Sequence, residues 1–206
     1  MMRLAFSLCL ASGLALSAAP VFAGPLHDAA RAGDGALLAQ LLRDGANIDE
    51  EDETGETALF AGALAAEPKI VDQLLVAGAD AAITNDRGMS ALHAAAFSGD
   101  AETVHILLGE AYASKRVDVN DADNKLGVTP LIVAAEENQG HIVAYLVTAG
   151  ADKEIAERHG YTALTRAAYH GHDQIVTILL RSGAQCQEID PAWKVECDKL
   201  KAELGK

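Results

Sequence analysis

Seven histidines, three cysteines and thirty aspartates and glutamates are the residues of this 206-residue chain best suited to chemistry. Nucleophilic catalysis needs a nucleophile, a base and an orienting group within mutual reach. The cysteines are Cys9, Cys186 and Cys197, and the Ser and Thr residues are scattered at turn positions. No Gly-x-Ser-x-Gly, P-loop or dinucleotide-binding glycine pattern is present, and no strand runs exist to seat one. Catalysis is therefore not expected. His170-Gly171-His172 together with His159 suggests metal ligation at first sight. A spacing of i, i+2 across a helix end is not an established ligand pattern, however. Neither a metal nor any other cofactor is expected.

Five consecutive acids, Asp49-Glu50-Glu51-Asp52-Glu53, are joined by Glu56 in one turn region. Their mutual repulsion suits a solvated loop. Steering of a basic partner and weak carboxylate affinity for a divalent cation stay open beside that reading. The whole chain carries 16 Lys and Arg against 30 acids, a net charge of −14. That balance argues against a nucleic-acid partner, because affinity for phosphates rests on basic side chains displacing counterions. A hydrophobic fraction of 50% is too high for an acidic disordered tail, and 4% aromatic residues leave few bulky side chains. Thin, Ala- and Leu-rich helices packed at short range fit this composition.

Met1-Met2-Arg3, the uncharged apolar run Leu4 to Leu16, and Val21 and Ala23 at the −3 and −1 places read as a secretory signal peptide, residues 1–23. The apolar run is shorter than the roughly 18 residues a membrane span requires. Cleavage after Ala23 would leave 30 acids against 15 bases, a balance of −15. The leader is bacterial in style, so a periplasmic location is expected, with disulfides permitted there. No membrane association is expected once the leader is removed.

What must position the remaining residues is a repeat. Leu26, Leu59 and Leu92 stand 33 apart; Leu131 follows after 39, and Leu164 after another 33. Gly45-Ala46, Gly78-Ala79, Gly150-Ala151 and Gly183-Ala184 keep the same phase. So do the apolar pairs Leu41-Leu42, Leu74-Leu75, Leu107-Leu108, Leu146-Val147 and Leu179-Leu180. Each unit reads as two short helices. Thr129-Pro130-Leu131 offers a capping hydroxyl and a proline suited to the first turn. Gly33, Gly99 and Gly171 mark the break between the helices. Ile70, Val71, Leu74 and Leu75 form the apolar stripe of a second helix. A left-handed glycine then ends it.

These motifs resemble the ankyrin repeat. Gly127-Val128-Thr129-Pro130-Leu131, Gly88-Met89-Ser90-Ala91-Leu92-His93-Ala94-Ala95, Ala168-Tyr169-His170-Gly171-His172 and Gly78-Ala79-Asp80 carry the resemblance. It implies an all-α solenoid of about five helix-turn-helix units with short hairpin loops, spanning 24–186. The units run at about 24–53, 54–86, 87–124, 125–156 and 157–186. The resemblance also implies that His27, His93 and His172 tie turns by hydrogen bonds, whereas His105 and His141 read as solvated on outer helices. Departures from the pattern are Ala66-Glu67-Pro68 and Asn138-Gln139 at the inter-helix turns, and six extra residues within Gly109–Val117. That insertion is either a longer helix or bulging loop, or a grip formed by Tyr112, Lys115 and Arg116.

Residues 187–206 read as a capping helix whose Trp193, Cys197, Leu200 and Leu204 share one face. A Cys186–Cys197 bridge would staple it, two reduced thiols being the other reading. The resemblance further implies binding through hairpin tips and the exposed side of each first helix. The candidate contacts are Glu53, Thr54, Glu56, Leu64 and Ala65; Asp86, Arg87, Met89, Phe97 and Ser98; Lys125, Leu126, Val128, Glu136 and Glu137; and Arg158, His159, Tyr161, Tyr169 and His170. Phe97, Tyr161 and Tyr169 would be the aromatic anchors. The function expected is that of a monomeric, non-catalytic adaptor or scaffold of the periplasm that binds another protein. A partner with a basic patch would suit the acid run. A small-ligand or metal-binding periplasmic carrier using His159, His170, Tyr161 and the acids is the alternative.

Overall fold

The computed structural model describes residues 24–109, 117–188 and 191–204. The expected leader, Asp190, and Tyr112, Lys115 and Arg116 of the insertion lie outside the described residues. Among the described residues the regular structure is helical, in five pairs and a final single helix. The pairs are α1 (Pro25–Arg31) with α2 (Gly35–Arg43), α3 (Ala58–Leu64) with α4 (Pro68–Ala77), α5 (Ala91–Ser98) with α6 (Ala101–Leu108), α7 (Pro130–Glu136) with α8 (Gly140–Thr148), and α9 (Ala163–His170) with α10 (Asp173–Arg181). The last helix is α11 (Pro191–Leu204).

Side-chain caps start the first helix of several pairs. The hydroxyls of Thr57, Thr129 and Thr162 accept from the amides of Phe60, Ile132 and Thr165 at 3.3, 3.2 and 3.5 Å. Each satisfies one donor that a helix N-terminus leaves orphaned. The turn inside each pair needs a left-handed residue seven positions after the repeating leucine. Gly33, Gly99 and Gly171 occupy it with φ of 68°, 80° and 73°, and Ala66 and Asn138 occupy it with 58° and 60°. The two departures from the repeat pattern thus adopt the same backbone as the glycines. Asn tolerates that region, whereas the alanine methyl is strained there.

Helices of seven to ten residues are too short to be stable alone in water. They hold because their faces are covered by neighbouring units. The first helices α1, α3, α5, α7 and α9 pack in succession, and the second helices α2, α4, α6, α8 and α10 form a parallel outer row. Ala58 to Ala63, Ala91 to Ala96 and Pro130 to Ala135 are buried along their whole length. The outer helices bury one stripe each, such as Ile175, Val176, Leu179 and Leu180 of α10.

Hydrogen bonds cross between units as well. The Nε2–H of His27 donates to the carbonyl of Glu56 at 2.8 Å, and that of His93 to the carbonyl of Val128 at 2.8 Å. His93 Nδ1 accepts from the Ser90 amide at 3.2 Å, which fixes a neutral ring with its proton on Nε2. Burial pushes His93 below the usual histidine range, outweighing the opposing pull of the Val128 carbonyl and Asp121. The Nε2–H of His172 donates to the carbonyl of Glu136 at 2.9 Å. Two outer-helix histidines are less free than their positions suggest. His141 Nε2 bonds to the Gly99 carbonyl at 3.2 Å, and the His105 ring lies 3.8 Å from that of Tyr145.

The stack ends at α11. Cys186 and Cys197 are joined in a disulfide 11 residues apart in sequence, and Cys197 is fully buried. Closing so short a loop contributes on the order of 2–3 kcal/mol. Trp193, Leu200 and Leu204 pack on the last unit, and the Lys201 ammonium donates to the Ala184 carbonyl at 3.1 Å.

Ala66→Gly relieves the left-handed strain and is expected to stabilise the fold by about 1 kcal/mol, read as a higher midpoint in urea or heat. His93 is neutral when folded, while the unfolded ring, with a pKa near 6.5, takes up a proton more readily. Stability is therefore present above about pH 6.5 and falls as pH drops below it. His93→Gln is expected to lower stability at pH 7 and to flatten this loss between pH 7 and pH 5, measured by denaturation at each pH.

Candidate functional site

Four hairpins link successive units; in each the glycine amide donates back to the opening residue's carbonyl, and in three a second main-chain bond closes the turn. Asp52, Asn85 and Glu157 donate their amides to the carbonyls of Glu56, Met89 and Tyr161 at 2.9, 3.0 and 3.0 Å. The side chain that opens each hairpin also binds amides further round. Asp52 accepts from Thr54 and Glu56, Asn85 from Arg87 and Met89, and Asn124 from Leu126 and Val128. The tips are then tied to one another: Asp86 donates to Thr54, Lys125 to Arg87, and Arg158 to Leu126, at 3.0, 3.3 and 2.7 Å. These bonds hold a row of residues at fixed spacing along one edge of the stack.

Along that row the charge changes sign. The residues six before the repeating leucines are Glu53, Asp86, Lys125 and Arg158, so the acidic end lies at the first hairpin. Arg87, Lys125, Arg158 and His159 are exposed, and Met89, Phe97 and Tyr161 are half-buried. Tyr169 is the most exposed of the large apolar residues in the fifth unit, at 56%. One candidate contact is corrected. Val128 is 1% exposed, and its carbonyl is taken up by His93, so this residue belongs to the interior. Its place next to a hairpin tip misleads because the pleat of the tip turns its side chain inward. Ser98 is also partly committed, donating its hydroxyl to the Ala63 carbonyl at 3.0 Å.

The fourth and fifth units hold a buried polar cluster built around two residues that the repeat pattern alone does not single out. Glu157 takes the hairpin-opening position held elsewhere by Asp52, Asn85 and Asn124, with one more methylene. Arg166 stands where Ala61, Ala94 and Val133 stand in other units. The Glu157 and Arg166 side chains, 1% and 10% exposed, approach at 3.6 Å. The guanidinium also lies 5.3 Å from the centre of the Tyr161 ring. His159 Nδ1 is 2.8 Å from the other Glu157 oxygen. The in-phase change from a small residue to arginine was the available sequence signal.

Beside this pair, Glu136 at the end of α7 faces His170 at the end of α9, Oε1 to Nε2, at 3.6 Å. That distance is too long for a good hydrogen bond. Glu136 Oε2, His170 Nε2 and Arg166 Nε make no hydrogen bond. Burial raises the Glu136 carboxyl above the usual range, against the pull of Arg166 and with the push of Glu157. Burial and then Glu136 likewise raise Glu137. His170 is lowered by burial, then by His172 and Arg166. The His170 and His172 rings lie stacked with centroids 5.7 Å apart, but His172 Nε2 is already used by the Glu136 carbonyl. Among the described residues no three His, Cys, Asp or Glu side chains are grouped to hold a metal ion.

The family model for ankyrin repeats in three copies matches residues 26–119 and 111–190. The chain belongs to the ankyrin-repeat family. It is 32% identical over 160 residues, 78% of its own length, to the ankyrin repeat domain-containing protein SAT10 of Stachybotrys chartarum, of which it covers 6%. It is 46% identical over 59 residues to the ankyrin repeat and SAM domain-containing protein 6 of Rattus norvegicus, covering 28% of this chain and 7% of that one. Over 82 residues it is 35% identical to the rat nuclear factor NF-kappa-B p105 subunit, covering 40% and 8%. The chain thus spans less than a tenth of the length of these curated relatives. What they share with it is the repeat, a fold that supports protein partners. Among the described residues no helix is long and apolar enough to cross a membrane.

The Glu157–Arg166 pair can be tested by removal. Arg166→Ala leaves the buried Glu157 carboxylate without its guanidinium, held only by His159 and the Tyr161 amide, and is expected to cost about 3 kcal/mol. The double variant Glu157→Asn, Arg166→Ala recreates the arrangement of Asn85 and Ala94 in the third unit. It is expected to recover most of that loss in urea denaturation, giving a coupling energy of about 2 kcal/mol.

Proposed function

We propose that this ankyrin array is a non-catalytic adaptor or scaffold of the bacterial periplasm, binding another protein along its hairpin tips and the exposed ends of its first helices. The observation that carries this reading is the tip-to-tip main-chain bonding of Thr54, Asp86, Arg87, Lys125, Leu126 and Arg158. A surface held this way needs little ordering on binding, so less of the contact energy is lost to entropy. Arg87, Met89, Phe97, Lys125, Glu136, Glu137, Arg158, His159, Tyr161, Tyr169 and His170 supply the contacts, with Tyr169 as an exposed anchor of the type that dominates interface energetics. The signal-like residues 1–23 and the Cys186–Cys197 bridge support an oxidising, exported setting.

Two measurements test this reading together. Tyr169→Ala is expected to weaken capture of a partner from periplasmic extract about tenfold or more, with an unchanged melting temperature. Tyr161→Ala, which also strips the face beneath Arg166, should weaken it too; full capture by both variants would sink the groove assignment. Osmotic-shock fractionation should release the chain with Gly24 at its N-terminus and no free thiol. Retention in the cytoplasm with two free thiols at Cys186 and Cys197 would refute the location.

A further inference from the structure

The ends of α7 and α9 present a site with surplus negative charge. Glu136 and Tyr169 occupy the same repeat position in adjacent units, five residues after Leu131 and Leu164. The Glu136 side chain is 9% exposed, and its Oε2 has no hydrogen-bond partner. The histidine facing it, His170, sits 3.6 Å away, is held toward its neutral form by burial, and brings no full positive charge. Arg166 is the nearest permanent cation, and its terminal nitrogen is directed to Glu157. Glu137, half-buried at the rim, adds a second carboxylate next in sequence. Each of the two carboxyls is held above its ordinary range, first by burial. A cation placed there would relieve both. Tyr169 offers the aromatic face that favours such a cation, at 56% exposure. The net charge of −14 attracts a positive partner from a distance.

We propose that this site, between the fourth and fifth units, receives a lysine or arginine side chain of the protein partner. Glu137 and Tyr169 make the first contacts, Tyr169 against the cation or its aliphatic stem. Glu136 lies beneath them and supplies charge that Arg166 offsets only in part, from a poorly solvated position where it acts more strongly than in water. His172, Arg166, His170 and Glu157 surround the site, and the Arg166–Glu157 pair contributes little net charge. The assignment rests on the adaptor reading above and adds to it the chemistry of one anchor residue on the partner.

Titration of the isotopically labelled protein with the tripeptide acetyl-Gly-Arg-Gly-amide, followed by NMR, tests the site. The expected result is shifts of the amides of Glu136, Glu137, Tyr169 and His170. Binding should weaken about tenfold in Glu137→Gln and in Glu136→Gln, the loss for one hydrogen bond to a charged group. The norleucine tripeptide, which keeps the stem without the charge, should leave these amides unmoved. Shifts confined to the 49–53 hairpin, equal shifts with norleucine, or unchanged affinity in both glutamine variants would overturn the proposal. Tighter binding of spermidine than of the tripeptide would assign the site to a free polyamine and overturn it too. In extract capture, loss with Tyr169→Ala but wild-type salt dependence with Glu136→Gln and Glu137→Gln would remove this inference alone. The adaptor reading would then survive.

Discussion

The helices of this protein have seven to ten residues in every repeat, below the length at which a helix persists alone, and no unit can cover its own apolar faces. Stability therefore resides between units. Alanine is the residue that makes this contact close, since a methyl on each face lets first helices approach without a gap. Hydrogen bonds supplement it where sequence allows. His27 and His93 reach the next unit's carbonyl, while Phe60, Ile132 and Thr165 take the same position in the other units and are buried there. The histidine tie thus serves two of the four seams, and other polar bonds cross the remaining two, Ser98 to the Ala63 carbonyl and His172 to the Glu136 carbonyl.

Most of this was legible in the order of residues because repetition lets each unit check the others. The 33-residue spacings from Leu26 to Leu59 to Leu92 and from Leu131 to Leu164 place every helix pair, and the spacing of 39 between Leu92 and Leu131 locates the insertion. Capping by Thr57, Thr129 and Thr162 follows from local chemistry that needs no tertiary knowledge. Ala66 and Asn138 read as departures, yet they adopt the positive φ of Gly33, Gly99 and Gly171, because the turn imposes it on whichever residue stands there. Val128 did not follow. Whether a side chain beside a tip points outward depends on which way the hairpin turns, and one position decides it.

The polar cluster of the last two units was less legible for a different reason. Glu157 and Arg166 are nine residues apart in sequence, and neither breaks the pattern in a way that names its partner. Only the stacking of a hairpin over α9 brings a longer acid onto a buried guanidinium. A departure from a repeat shows that something is exchanged, and the three-dimensional neighbour shows for what. Here an apolar position was exchanged for a pair whose members depend on each other. The fifth unit is consequently the least interchangeable of the five.

One feature of the hairpin row has a bearing on how such a chain can change. The bonds from Asp86 to Thr54 and from Arg158 to Leu126 span 32 residues, and that from Lys125 to Arg87 spans 38, yet all three join the same atoms of neighbouring tips. The additional length falls in sequence between α6 and the following hairpin, and the tips are bonded across the long unit as across the short ones. That edge behaves as a ruler whose graduations stay joined when a unit is lengthened. A partner that measures the distance from one tip to the next would not register the insertion at all.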